Sequence, residues 1–207
     1  MESSSTKQEH LFIPKTTIKR LLNDVKNIIK NPLHDNGIYY THDESDILKG
    51  SALIIGPKES LYEGGCYLFE FNFPPDYPFS PPLLKFKTNN GFTRFNPNLY
   101  KNSKVCISIL NTWSGEQWSS CQTISTVLLN LVSLLNNTPL LNEPGVTRGH
   151  KDYENYNKVI QFENLNYAIK DFINIESYPL RFKSLHKYYI NYLTTNNQLN
   201  EIKKKIE

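Results

Sequence analysis

Residues 64–82 read GGCYLFEFNFPPDYPFSPP, and the first half of that stretch decides the fold class. Cys66, Leu68, Glu70 and Asn72 alternate with Tyr67, Phe69, Phe71 and Phe73. Successive side chains of a strand point to opposite faces, so the four aromatics share one face. Gly64-Gly65 turns the chain into this strand. Pro74-Pro75 closes it, because proline offers no N–H to a ladder. The prolines that follow fix φ and bar regular pairing, so residues 74–82 read as a stiff surface loop presenting Tyr77 and Phe79.

Working outward, residues 37–41, 51–55 and 83–87 are three further short β-rich runs, the second closed by Gly56-Pro57. The links between them are too short for crossover helices, so the four strands form an antiparallel meander. Upstream, Ile18, Leu21, Leu22, Val25, Ile28 and Ile29 repeat at helical spacing. They predict an amphipathic helix over 15–31, started by Thr16 or Thr17 and stopped at Asn31-Pro32. Lys15, Lys19, Arg20 and Lys26 make its outer surface basic. Downstream, Ile124, Val127, Leu128, Leu131, Leu134 and Leu135 mark a buried central helix. Residues 151–175 and 179–206 read as two more helices, parted by Tyr178-Pro179. The class is therefore α+β: an N-terminal helix, a four-stranded antiparallel meander sheet, a long loop, a central helix and C-terminal helices. The expected boundaries are a flexible tail at 1–13, a core domain at 14–176 and a helical extension at 177–207.

The totals narrow the function. A chain of 207 residues with 39% apolar and 13% aromatic residues has the means to bury a core. A net charge of +3 is too mild to indicate nucleic-acid binding. No apolar run approaches the roughly 18 residues of a membrane span. Three cysteines, Cys66, Cys106 and Cys121, without a CxxC pair, give neither a disulfide framework nor a zinc pattern. They point to a reducing compartment, cytoplasm or nucleus. His10, His34, His42, His150 and His186 are too dispersed for a metal site. Cys66 falls in the strand pattern and Cys121 at a helix start, and both read as structural thiols.

Residues 88–121 show no periodicity yet carry Phe92, Phe95, Tyr100, Trp113 and Trp118. Loops that long are commonly functional, and the aromatics argue that this one is ordered. Within it, Phe95-Asn96-Pro97-Asn98 makes a turn, and Val105-Cys106-Ile107 places a thiol eight residues after Asn98. This order suggests a nucleophile with its own amide donor.

Tyr62-Glu63-Gly64-Gly65, the run from Phe73 to Pro82, Phe95-Asn96-Pro97-Asn98 and Val105-Cys106-Ile107, in this order, resemble the ubiquitin-conjugating enzymes over about residues 14–176. The insert Thr112-Trp113-Ser114-Gly115, the run Leu141-Asn142-Glu143-Pro144-Gly145 and the C-terminal extension look most like the larger, divergent members. Two positions depart from the family pattern. Asn96 stands where its motif has His, and Ser120 stands where a Pro follows its Trp-Ser, here Trp118-Ser119.

The resemblance implies the family's α+β fold, no cofactor and a transfer reaction. Ubiquitin, or a ubiquitin-like protein, would pass from an activating enzyme to Cys106 as a thioester, and then to a lysine or to a ligase. A thiolate suits both halves, as nucleophile and as leaving group. Asn98 would either stabilise the oxyanion or hydrogen-bond the loop backbone. Glu143 would orient the incoming amine and accept a proton. Lys19 and Arg20 match the surface offered to the activating enzyme. Phe79 and Ser119 match the surface offered to ligases. The expected partners are thus ubiquitin or a relative of it, an activating enzyme, a ligase and substrate proteins, with no nucleic acid and no membrane. Two alternatives remain: a non-catalytic adaptor that keeps the fold, and a thiol hydrolase, which needs a histidine beside Cys106.

Overall fold

The computed structural model describes residues 12–196. The Ser-rich N-terminus, His10 and the run Lys203-Lys204-Lys205 lie outside the described residues. Helix α1 (Lys15–Lys30) leads into strands β1 (Ile38–His42), β2 (Lys49–Ile55), β3 (Cys66–Asn72) and β4 (Leu83–Phe86). The strands lie in the order β1-β2-β3-β4, each antiparallel to the next. Helices α2 (Ile124–Leu134), α3 (Tyr153–Glu163) and α4 (Lys183–Thr195) follow. The expected meander and helix order are present, with strand ends within two residues of those read from the sequence.

The alternation in β3 sets the packing. Tyr67, Phe69 and Phe71 join Ala52, Ile54, Leu84 and Phe86 on one face, against Leu21 and Ile28 of α1 and Val127, Leu128 and Leu131 of α2. Cys66 and Leu68 point the other way, with Leu53 and Ile55. That second face is also covered: Phe172, Tyr178, Phe182, Leu185, Tyr189 and Leu193 lie across it. Burying a large apolar side chain contributes about 2 kcal/mol. Phe182, Leu185 and Leu193 are fully buried, so the segment carrying α4 is part of the fold's energetics, not an appendage. Polar contacts also seat it: Tyr189 donates to the Gly64 carbonyl (2.8 Å), the Cys66 sulfur meets the Tyr178 hydroxyl (3.1 Å), and Arg181 pairs with Glu70 (3.1 Å).

Several local expectations are corrected. Neither Thr16 nor Thr17 caps α1. Pro14 holds the cap position without a side-chain bond, and the Thr17 hydroxyl donates to the Pro75 carbonyl (2.7 Å). The apolar stripe of α1 is narrower than its spacing suggests, with Leu22 57% and Ile29 71% exposed. Asp24 takes a place on the inner face instead, bonded to Arg20 Nε (3.0 Å) and the Tyr77 hydroxyl (2.5 Å). A buried carboxylate requires such partners. Tyr77 is therefore buried, not presented on the Pro-rich loop, while Phe79 is 77% exposed. The helix expected over 151–175 ends at Glu163 and continues as a π turn (Asn164–Ile169) and short 3-10 turns. It changes at Asn164, whose side chain is tied to the sheet side: Oδ1 accepts from the Tyr67 hydroxyl (2.6 Å) and Nδ2 donates to the Glu63 carbonyl (3.0 Å). The following helix starts at Lys183, not 179, after a 3-10 turn over Leu180–Phe182.

Candidate active site

Residues 95–106 form an irregular hairpin beside β4. Phe95 is anchored in the aromatic core, edge-on to Tyr67 and Phe86, and its carbonyl accepts from the Tyr62 hydroxyl (2.6 Å). Leu99 bridges Val105, and the Tyr100 amide donates to the Lys104 carbonyl (2.9 Å). A turn closed from the Ser103 amide to the Tyr100 carbonyl (2.9 Å) joins the arms. Continuing this antiparallel register places Asn98 opposite Cys106, and the Cys106 amide donates to the Asn98 carbonyl (2.9 Å). The eight-residue step between the two is thus the register of a short ladder. The Lys85–Lys104 bridge and the bond from the Phe86 amide to the Ser103 carbonyl (2.9 Å) tie the hairpin to the sheet edge.

Asn98 Nδ2 donates to the Cys106 carbonyl (2.6 Å), so of its two expected roles the backbone bond is made. Among the described residues its Oδ1 is buried without a partner. Asn96 is fully buried and uses its amide at both ends. Nδ2 donates to the Leu134 carbonyl at the end of α2 (2.8 Å), while Oδ1 accepts from the Asn98 amide (3.0 Å) and from Asn142 (3.3 Å). One amide side chain, donating from Nδ2 and accepting twice at Oδ1, thereby fixes the turn, the central helix and the segment before Glu143 together.

Cys106 is only 2% exposed. Among the described residues no histidine is hydrogen-bonded to it. His42 bonds Tyr40 and Ile47, His186 bonds Ile173, and His34 stacks on Tyr39. The Cys–His pairing of a thiol hydrolase is therefore not made among them. Cys66 is buried in the sheet, and burial pushes its thiol well above the ordinary range. Cys121 is exposed and precedes the α2 cap Thr123 by two residues, so it has no part in the core.

Glu143 follows the 3-10 turn Pro139–Asn142, and its carboxylate is 3.2 Å from the Arg94 guanidinium. Arg94 also lies over the Tyr100 ring (4.3 Å) and donates to the Pro97 carbonyl. The structure thus brings Glu143 to the same hairpin as Cys106 but matches its charge with Arg94. That pair is about one third exposed on each side, where an ion pair contributes at most about 1 kcal/mol and an incoming ammonium can compete for it.

The expected partner residues divide. Lys19 is exposed and lines a surface hollow of about 260 Å³ with Lys15, Ile18, Leu22 and Asn23. Arg20 is engaged inside the chain: besides Asp24 it donates to the carbonyls of Ser120 (2.6 Å) and Gln122 and lies over Tyr77 (5.4 Å). Phe79 and Ser119 are both exposed. Between them, Trp118 Nε1 donates to the Pro78 carbonyl (2.7 Å), which joins the Pro-rich loop to the segment after Cys106. Sequence reasoning gave no role to the side chains of Arg94, Tyr62 and Asn142, which hold the hairpin by contacts that leave no periodic signal.

A family model described as ubiquitin-conjugating enzyme matches residues 20–163, a span that contains the sheet, the hairpin, Cys106 and Glu143. The chain belongs to the ubiquitin-conjugating enzyme family. It is 45% identical over 155 residues to human ubiquitin-conjugating enzyme E2 Z, covering 73% of this chain and 43% of that protein. It is 39% identical over 168 residues to a probable ubiquitin-conjugating enzyme, protein 17, of Caenorhabditis elegans, covering 74% and 23%. It is 34% identical over 187 residues to a probable ubiquitin-conjugating enzyme of Acanthamoeba polyphaga mimivirus, covering 84% and 13%. The chain spans less than half the length of these relatives. Within the ubiquitin-conjugating family pattern, Asn96 at the usual His position bonds the Asn98 amide and the Leu134 carbonyl, and Cys106 and Asn98 lie in register.

Proposed function

We propose that this chain is a working ubiquitin-conjugating enzyme with Cys106 as its acceptor thiol. The Cys106 thiolate attacks the thioester carbonyl by which an activating enzyme holds the C-terminus of ubiquitin or a ubiquitin-like protein. A new S–C bond forms, and the activating enzyme's thiolate leaves. A substrate lysine, or a ligase cysteine, then attacks the new thioester, and the Cys106 thiolate is expelled. With a lysine, the amine loses its proton, and Glu143, released from Arg94, is the nearby carboxylate able to take it. Asn98 holds the peptide of the nucleophile in place, and its second Nδ2 hydrogen is the donor available to a developing oxyanion. Lys19 on α1 serves the activating enzyme, and the exposed Phe79 and Ser119 serve a ligase. A reducing compartment, cytoplasm or nucleus, keeps the thiol competent.

The observation that carries this reading is the ladder register of Asn98 against Cys106 inside the span that matches the family. No observation favours the non-catalytic alternative, since the thiol and the amide are both present and opposed. The test is incubation with ATP, ubiquitin or a ubiquitin-like protein, and activating enzymes in turn, resolved on gels with and without reductant. A reductant-sensitive adduct that Cys106→Ala abolishes supports the reading. No adduct with any activating enzyme and modifier would return the chain to the adaptor class.

A further inference from the structure

Thr112 belongs to the insert after Cys106. Its hydroxyl accepts from the Ile107 amide (3.0 Å) and faces the carbonyls of Val105 and Ile107, both at 3.1 Å. The residues before and after the nucleophile are thus bonded to one oxygen. In an extended chain the N–H and C=O of one residue point to one edge, and those of its two neighbours point to the other. Ile107 is extended (φ −136°, ψ 150°), and Val105 is paired with Leu99. Asn98 takes the N–H and C=O of Cys106 itself. Thr112 takes the Val105 carbonyl and the Ile107 amide on the opposite edge, past the Lys85–Lys104 bridge at which the pairing with β4 ends. A hydroxyl can both donate and accept, so it satisfies this edge alone.

The rest of the insert holds Thr112 in place. Asn111 adopts a left-handed conformation (φ 57°), and its side chain accepts from the Trp118 amide (2.8 Å). Trp118 in turn is fixed to the Pro78 carbonyl. Gly115 (φ 127°) brings the insert against Ser108, where a Cβ would lie 3.0 Å from that residue's own Cβ. We propose that Thr112 is a positioning residue for Cys106, a side chain that continues the edge pairing beyond the end of β4 and sets where the nucleophile lies. The proposal rests on the conjugating reading of Cys106 but can be tested apart from it.

The three cysteines supply internal reporters. The full chain and its Thr112→Val and Thr112→Ser variants are treated with iodoacetamide, and the labelling rate of each cysteine is read by mass spectrometry. In parallel, the Cys106–ubiquitin thioester is discharged to free lysine in single turnover. For Thr112→Val, discharge falls about tenfold, the scale of one lost positioning hydrogen bond. Cys106, buried while both edges are held, labels severalfold faster relative to the exposed Cys121, and the core thiol Cys66 stays unlabelled. Thr112→Ser, which keeps the hydroxyl, restores both rates. Unchanged discharge and labelling in Thr112→Val overturns the proposal. So does a loss that serine does not rescue, or one accompanied by Cys66 labelling, which marks general loosening of the fold. A parent chain that forms no thioester refutes the conjugating reading, and the labelling arm then decides the Thr112 clamp by itself.

Discussion

At the scale of single residues, the site rests on amide and hydroxyl side chains standing in for backbone. Asn96 illustrates the energetics. It is fully buried and bonds Leu134, Asn98 and Asn142. Asn96→Ala strips the partner from a buried carbonyl and a buried amide at once, and each orphaned group costs about 1–3 kcal/mol. The expected loss is about 2–4 kcal/mol in urea denaturation, and a loss below about 0.5 kcal/mol would show that the turn does not depend on this amide. The proposed acceptor thiol and its asparagine were singled out in the sequence by the Asn-Pro-Asn turn and the order of motifs, and in the fold their eight-residue separation is a ladder register. The parts played by Thr112 and Arg94 were not legible in the sequence. A side chain that bonds backbone atoms leaves no spacing rule behind it, so only the folded geometry shows what it holds. Arg20 is the converse case. Its place on a basic helix face suggested a partner surface, but the carbonyls of Ser120 and Gln122 and the buried Asp24 claim its guanidinium.

At the scale of elements, α4 gives the sheet its second layer. Leu185 is fully buried among Leu53, Leu68 and their neighbours, on the face of the sheet away from α1 and α2. Leu185→Ala is expected to cost about 2–5 kcal/mol, the usual range for a truncated core leucine. Thermal or urea unfolding measures it, and a cost near zero would show that the C-terminal segment is not part of the cooperative unit. The four strands were legible because alternation and proline punctuation are local signals. The break in α3 was not, since its cause is a contact between Asn164 and Tyr67, nearly a hundred positions apart in the chain. The stripe of α1 was overread for a related reason: the spacing of Leu22 and Ile29 is helical, but the inner face is completed by Asp24 and its tertiary partners.

At the scale of the whole molecule, the core is dense in ionisable groups that burial keeps protonated. Burial raises the thiol of Cys66 and the phenols of Tyr62, Tyr67 and Tyr189 above their ordinary values of 9.0 and 10.0. Below about pH 9 both folded and unfolded chains hold these protons, and stability does not depend on them. Above it the unfolded chain releases protons that the folded chain retains, so stability falls as pH rises. The melting temperature should be level between about pH 7 and 8.5 and decline from about pH 9 upward. A level profile to about pH 11 would contradict the burial of these groups. The proposed function rests on one thiol of three, Cys106. Its most direct test is mass-spectrometric mapping of the cysteine that carries the modifier after charging with ATP and an activating enzyme. A thioester is expected on Cys106 alone. A thioester on the exposed Cys121, or on no cysteine, would contradict it.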